Sequence, residues 1–95
     1  MRHALLMHEP TDDVAVAVAD LTADSEVGAV ALEGEHVTTI HVQEDVPLGH
    51  KLAIRDLPEG KHVLEYGRAI GRATRHIACG YHVHIHNLRS MRWKR

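Results

Sequence analysis

The chain has 95 residues, a net charge of -2 with histidine neutral, and a 44% hydrophobic fraction that contains no Phe, one Trp and two Tyr. This length suits one domain, and the small and β-branched apolar residues favour short β-strands. The balanced charge gives no reason to expect nucleic-acid binding, and the apolar runs are too short for a membrane span. The single Cys79 excludes an internal disulfide, and the N-terminal residues lack the apolar core of a signal peptide, so we expect a cytoplasmic protein.

Four apolar runs predict short β-strands in the first half of the chain. They cover His3–His8, Val14–Leu21, Val27–Leu32 and His36–Val42. Valines at every second position of the second run favour a strand, although a short helix capped by Asp12 or Asp13 is the alternative. The sequence therefore predicts a mainly all-β fold.

A pattern of eight residues recurs four times and organises the chain. It starts with a polar and then an aliphatic residue, has Gly or Asp at its fifth position, and ends on an aliphatic residue. The copies are Asp20–Val27, Asp45–Leu52, Asp56–Val63 and His76–Val83. Pro in two copies presets a turn, and Gly or Asp tolerates the positive φ that ends one. Each copy therefore predicts a tight corner from which a strand leaves.

Three histidines alternate with apolar residues just after the last corner. On a β-strand, His82, His84 and His86 would share one face, with Val83 and Ile85 anchoring the other. Such a row can serve as a proton-transfer surface, a metal-ligand surface or a pH-sensitive patch. The alternative is an exposed histidine-rich edge strand. We predict His84 and His86 as metal ligands, with further ligands supplied from elsewhere, and expect less of His82.

The longest motifs also carry a family resemblance. The blocks Asp45–Gly60, Tyr66–Ala73 and Gly80–Leu88, in this order, resemble the N-terminal SAF domain of the altronate/galactarate dehydratase family. The likeness covers roughly residues 3–88 and implies a small β-clip fold, like that of type III antifreeze domains, built from short strands and tight turns. We therefore expect an SAF-like domain over residues 1–88 and a basic tail over 89–95, either solvated or docked on an acidic partner.

The resemblance implies an activity as well. Members of the family remove water from sugar acids with a divalent metal, typically Fe²⁺ or Mn²⁺. The sequence lacks their large catalytic domain, so the resemblance implies the small subunit of a two-subunit lyase, a dehydratase or a sulfolactate sulfo-lyase. A large partner subunit would complete the active site and share the metal. Two alternatives are a non-catalytic SAF module that binds a sugar acid or docks subunits, and a free-standing metal-binding protein. Formation of a homo-oligomer is left open.

β-Elimination from a hydroxy acid needs a base, an acid and a cation that stabilises the developing negative charge. Histidine suits the first two roles, for which His84 and His86 are the preferred candidates, and we predict His50, Lys51 and His84 as catalytic residues. Lys51 suits binding of a carboxylate or sulfonate as a point charge. Both His50 and Lys51 leave a predicted corner, so they can project towards a neighbouring subunit. Two solvated loop residues are the alternative.

Substrate contacts are predicted at Tyr66, Gly67 and Asn87. The Tyr66 phenol can donate a hydrogen bond, although a Tyr packed on a bend explains it equally well. Asn87 would face away from His86 on a regular strand and would need a bend to reach substrate. Three arginines follow nearby, Arg68, Arg72 and Arg75. We interpret them as a solvated basic edge, with binding of an acid's carboxylate as the alternative.

Overall fold

The chain folds into nine short strands in the computed structural model, which describes residues 2–32 and 37–90. The strands are β1 (His3–Met7), β2 (Val14–Ala17), β3 (Glu26–Ala31), β4 (Val37–His41), β5 (Lys51–Ala53), β6 (His62–Glu65), β7 (Arg68–Ala73), β8 (His82–Val83) and β9 (Leu88–Ser90). The all-β prediction is confirmed, and the run from Val14 forms a strand rather than a helix. His36, predicted to open the fourth strand, lies outside the described residues. None of the described residues forms a helix long and apolar enough to cross a membrane.

Two sheets share the strands. The larger has the order β4-β3-β1-β2-β5-β8, and the smaller has the order β6-β7-β9. β1 runs parallel to β3, whereas every other pair within the sheets is antiparallel. One apolar cluster, which includes Leu5, Leu21 and Leu52, packs within the larger sheet and its corners. A second cluster, which includes Leu57 and Val63, joins the smaller sheet to the first. This curled arrangement is consistent with the small β-clip fold that the resemblance implies.

The four repeated corners are all present and face one another in two pairs. Isolated bridges join Leu21 to Val46 and Leu57 to Ile77, at the second position of each copy. The fifth positions all have positive φ, at Asp24, Gly49, Gly60 and Gly80. Side chains at the first position tie the corners together, since Asp20 accepts the Leu48 N–H at 2.8 Å and Asp56 accepts the Cys79 N–H at 2.8 Å. The prediction of repeated corners is confirmed, and their pairing closes the fold.

A buried carboxylate fixes the turn between β6 and β7. Oδ2 of Asp12 accepts the backbone N–H groups of His8, Glu9 and Tyr66 at 3.1–3.2 Å, and Oδ1 accepts that of Gly67 at 3.1 Å. Tyr66 and Gly67 both have positive φ, 57° and 71°, as a two-residue hairpin turn requires. Asp12 therefore holds the loop after β1 against the hairpin of the smaller sheet.

The C-terminal part of the described chain belongs to the smaller sheet. Strand β9 pairs with β7 and includes Arg89 and Ser90, the first two residues of the predicted basic tail. Residues 91–95, the rest of that tail, lie outside the described residues.

Candidate functional site

Three histidine side chains meet at the edge of the larger sheet. His50 leaves the second corner just before β5, and His82 begins β8. The antiparallel register pairs Leu52 with His82 and Lys51 with Val83, so its continuation sets His50 opposite His84. The ring centroids are 5.0 Å apart for His50 and His82, 4.6 Å for His50 and His84, and 5.4 Å for His82 and His84. We call His50, His82 and His84 the histidine cluster.

The prediction of one regular strand through all three histidines of the row is wrong. β8 ends at Val83, and the next four residues form a turn. The Asn87 side chain stabilises this turn, because its Oδ1 accepts the His84 N–H at 2.9 Å and its Nδ2 donates to the His82 carbonyl at 2.8 Å. Val83 is buried as expected, but Ile85 is 83% exposed and anchors nothing within the described chain.

The histidine cluster has the spacing of a metal-ligand set. One nitrogen from each ring lies within 4.8 Å of the others, and Nδ1 of His50 lies 2.9 Å from Nε2 of His82. These two nitrogens share a hydrogen bond, in which one ring donates to the other. Two ligands about 2.1 Å from one ion and at right angles are about 3.0 Å apart, so the same separation suits a metal that replaces the shared proton. The residues present therefore fit a divalent metal.

His86 lies beside the cluster rather than within it. Its ring centroid is 5.4 Å from that of His82. The sequence spacing suggests His86 as the third imidazole of the group, but the structure brings His50 there instead. The sequence predicts catalytic roles for His50 and for His84 but does not place the two side chains together. The signal that could have done so is the corner repeat, because it places β5 and β8 at equivalent positions.

The local environment favours the neutral form of the His82 imidazole. Burial lowers its pKa, and the neighbouring imidazoles of His50, His86 and His84 lower it further, while the Glu44 carboxylate opposes them. Oε2 of Glu44 also accepts the backbone N–H of His82 at 3.0 Å. A neutral imidazole has the free lone pair that metal binding or proton transfer requires.

Lys51 lies next to the histidine cluster in sequence, but its side chain forms an ion pair with a residue outside the cluster. Its Nζ is 3.7 Å from Oε1 of Glu65, at the end of β6. Burial raises the pKa of Glu65 and Asp12 adds to the rise, whereas Lys51 opposes it. The Lys51 side chain remains 36% exposed, so it can still present its charge to a bound acid.

The three residues predicted to contact substrate do not lie together. Tyr66 and Gly67 form the β6–β7 turn, where the Tyr66 ring packs 4.7 Å from that of His8. No hydrogen bond or ring contact joins them to the histidine cluster within residues 2–32 and 37–90. Asn87 is beside the cluster but only 5% exposed, and the backbone engages both ends of its amide. Its clearest contribution is to hold His82 and His84 in position.

A model of the altronate/galactarate dehydratase SAF domain matches residues 3–91. The chain belongs to this family. The SAF-domain chain is 36% identical to the (2R)-sulfolactate sulfo-lyase subunit alpha of Chromohalobacter salexigens over 89 residues, which is 93% of this chain and 95% of that protein. It is 44% identical to the altronate dehydratase of Escherichia coli over 79 residues, 83% of this chain but 15% of the enzyme. The altronate dehydratase of Bacillus subtilis is 29% identical over 90 residues, 95% of this chain and 17% of the enzyme.

The SAF-domain chain spans very different shares of these relatives. It extends over nearly the whole sulfo-lyase subunit but less than a fifth of either dehydratase. The same domain therefore occurs both as a separately named subunit and as a small part of a longer enzyme.

Proposed function

We propose that this SAF-domain chain is the small subunit of a two-subunit hydroxy-acid lyase of the cytoplasm, completed by a large catalytic subunit. The substrate would be a sugar acid of the altronate or galactarate type, or a sulfonated hydroxy acid such as sulfolactate. Two findings support this assignment, the near full-length match to a sulfo-lyase subunit alpha and the partial match to whole dehydratases. The assignment of the site rests on the convergence of three imidazoles at an edge strand.

In the proposed site, His50, His82 and His84 would hold a divalent metal, Fe²⁺ or Mn²⁺, shared with the partner subunit. Three imidazoles alone make an incomplete ligand set, so the partner would supply the remaining ligands. The metal would supply positive charge where negative charge develops on the substrate carboxylate. His86, predicted from sequence as a ligand, lies outside the three and is exposed, so it can instead accept or donate a proton.

The chain's own residues would divide the remaining work. The exposed charge of Lys51 attracts the acid group, while Asn87 holds the backbone of His82 and His84 so that both rings keep their positions. His86 would remove the proton next to the carboxylate or, once protonated, assist departure of hydroxide or sulfite, and the group for the other role would come from the partner subunit. Contacts from Tyr66 and Gly67 to substrate stay a prediction.

Reconstitution tests this function directly. The purified chain is mixed with a large chain similar to the rest of an altronate dehydratase, and elimination from altronate, galactarate and sulfolactate is assayed. We expect negligible turnover by either chain alone and activity that saturates at equal amounts. A chelator should abolish it, and Fe²⁺ or Mn²⁺ should restore it. Full activity of either chain by itself would contradict the proposal.

A further inference from the structure

A cleft of about 350 Å³ opens next to the histidine cluster. Its polar lining comes from Glu44, Arg75, His76, Tyr81, His86 and Asn87. This volume falls within the range of small-molecule sites, about 300–1,000 Å³. His86 lines the cleft and its ring also lies 5.4 Å from that of His82. A molecule in the cleft would therefore extend towards the cluster.

Arg75 supplies the cleft with a positive charge. Among the described residues, Arg55 and Lys61 pair with Asp13, and Lys51 pairs with Glu65. Arg75 forms no such ion pair among the described residues. Its Nη2 donates to the His86 carbonyl at 3.2 Å, which orients the guanidinium group. That bond uses one of five N–H donors, so a bidentate contact to a carboxylate or sulfonate remains available.

Glu44 adds an acceptor to the same cleft. It is half-buried, and its Oε2 is fixed by the His82 N–H, which leaves the other oxygen to accept from a hydroxyl group. Every anion meets repulsion from this carboxylate, and a bare inorganic anion has no hydroxyl hydrogen bond to offset it. A hydroxy acid offers an acid group to the arginine and hydroxyl donors to the glutamate. The pair therefore selects for that combination.

We propose, on the basis of the lyase function above, that this cleft binds the acid end of the hydroxy-acid substrate. Arg75 anchors the carboxylate or sulfonate, and Glu44 accepts from a hydroxyl group. The carbons next to that acid group then lie against His86 and towards the histidine cluster, so that the proton next to the carboxylate is presented to the reacting centre. All three arginines of the sequence motif are exposed, but Arg75 lines this cleft, whereas Arg68 and Arg72 lie on β7 and do not line it.

Amide NMR titration of the isolated chain tests the cleft without requiring activity. D-Altronate and sulfolactate are added to about 50 mM, well above a millimolar Kd expected for half a site, with neutral altritol and inorganic sulfate as controls. We expect saturable shifts at residues 75–81 and 86–87 with the two acids and none with altritol or sulfate. Arg75→Gln should abolish them, Arg75→Lys should retain part, and Arg72→Gln should leave them unchanged.

Several outcomes would overturn the cleft assignment. They are absence of saturable shifts at these concentrations, shifts located elsewhere, equal binding of sulfate, or unchanged binding by Arg75→Gln with an otherwise intact spectrum. In the reconstituted lyase, Arg75→Gln should raise KM about tenfold or more with little change in kcat. An active complex in which Arg75→Gln keeps its KM would refute the cleft alone. A complex without lyase activity would refute the proposed function instead, whatever the titration shows.

Discussion

At the scale of single residues, His82 couples the cluster to pH. Burial is the main cause that lowers its pKa, followed by the charges of His50, His86 and His84. The unfolded chain, with a histidine pKa near 6.5, therefore takes up this proton more readily than the folded chain. Above about pH 6.5, His82 is neutral in both states and does not lower the free energy of unfolding. As pH falls from there through the lower pKa of the folded chain, the free energy of unfolding decreases.

We therefore expect the metal-free chain to lose stability between pH 7.5 and 5.5, and His82→Gln to reduce that loss. Urea unfolding at the two pH values measures both effects. His62→Gln, which changes an exposed histidine on β6, serves as the matched control and should behave like the wild type. If His82→Gln showed the same drop in midpoint as the wild type, the assigned environment of His82 would be wrong.

At the scale of elements, the loop after β1 and the β6–β7 hairpin depend on one carboxylate. Asp12 is fully buried and accepts four backbone N–H groups. Asp12→Ala leaves these donors without an acceptor, so we expect the free energy of unfolding to fall by about 3 kcal/mol. Asp56→Ala removes an exposed carboxylate with one N–H partner and should cost about 1 kcal/mol or less. Equal urea midpoints for the two variants would contradict this role of Asp12.

The corners could be predicted from sequence because their signals are local. Pro47 and Pro58 preset two turns, and Gly or Asp at the fifth position permits the positive φ found in all four. The pairing of corners could not be predicted, since it depends on which distant strands align. The repeat places β5 and β8 at equivalent positions of two corners, but the register that sets His50 opposite His84 is visible only in the structure.

The turn after β8 was not predicted from the sequence, for a different reason. Alternating histidine and aliphatic residues favour an extended strand, and the pattern contains no glycine or proline to oppose it. The Asn87 amide prevails because it bonds to the backbone at both His82 and His84. A short side chain that competes for backbone hydrogen bonds is a known breaker of regular structure. Asn87 was selected from sequence as a substrate contact, and the turn is where it acts in the fold.

At the scale of the whole molecule, the cluster lies where a partner can reach it. β8 is an edge strand of the larger sheet, and His84 and His86 are exposed. The cleft with Arg75 adjoins the cluster, since His86 lines the cleft and its ring lies 5.4 Å from that of His82. The residues proposed as metal ligands, as proton-transfer group and as anion anchor therefore share one open surface. This arrangement suits half of an active site that a larger subunit covers.

The most direct test of this account is kcat of the reconstituted lyase with His50, His82 or His84 replaced by alanine, one at a time. His62→Ala, on an exposed position of β6, is the control. If the three imidazoles act together at the reacting centre, each replacement should lower kcat by about 100-fold or more while complex formation persists, and the control should keep wild-type activity. A fully assembled complex in which all three variants keep kcat within about twofold of wild type would contradict the account and leave a non-catalytic binding module.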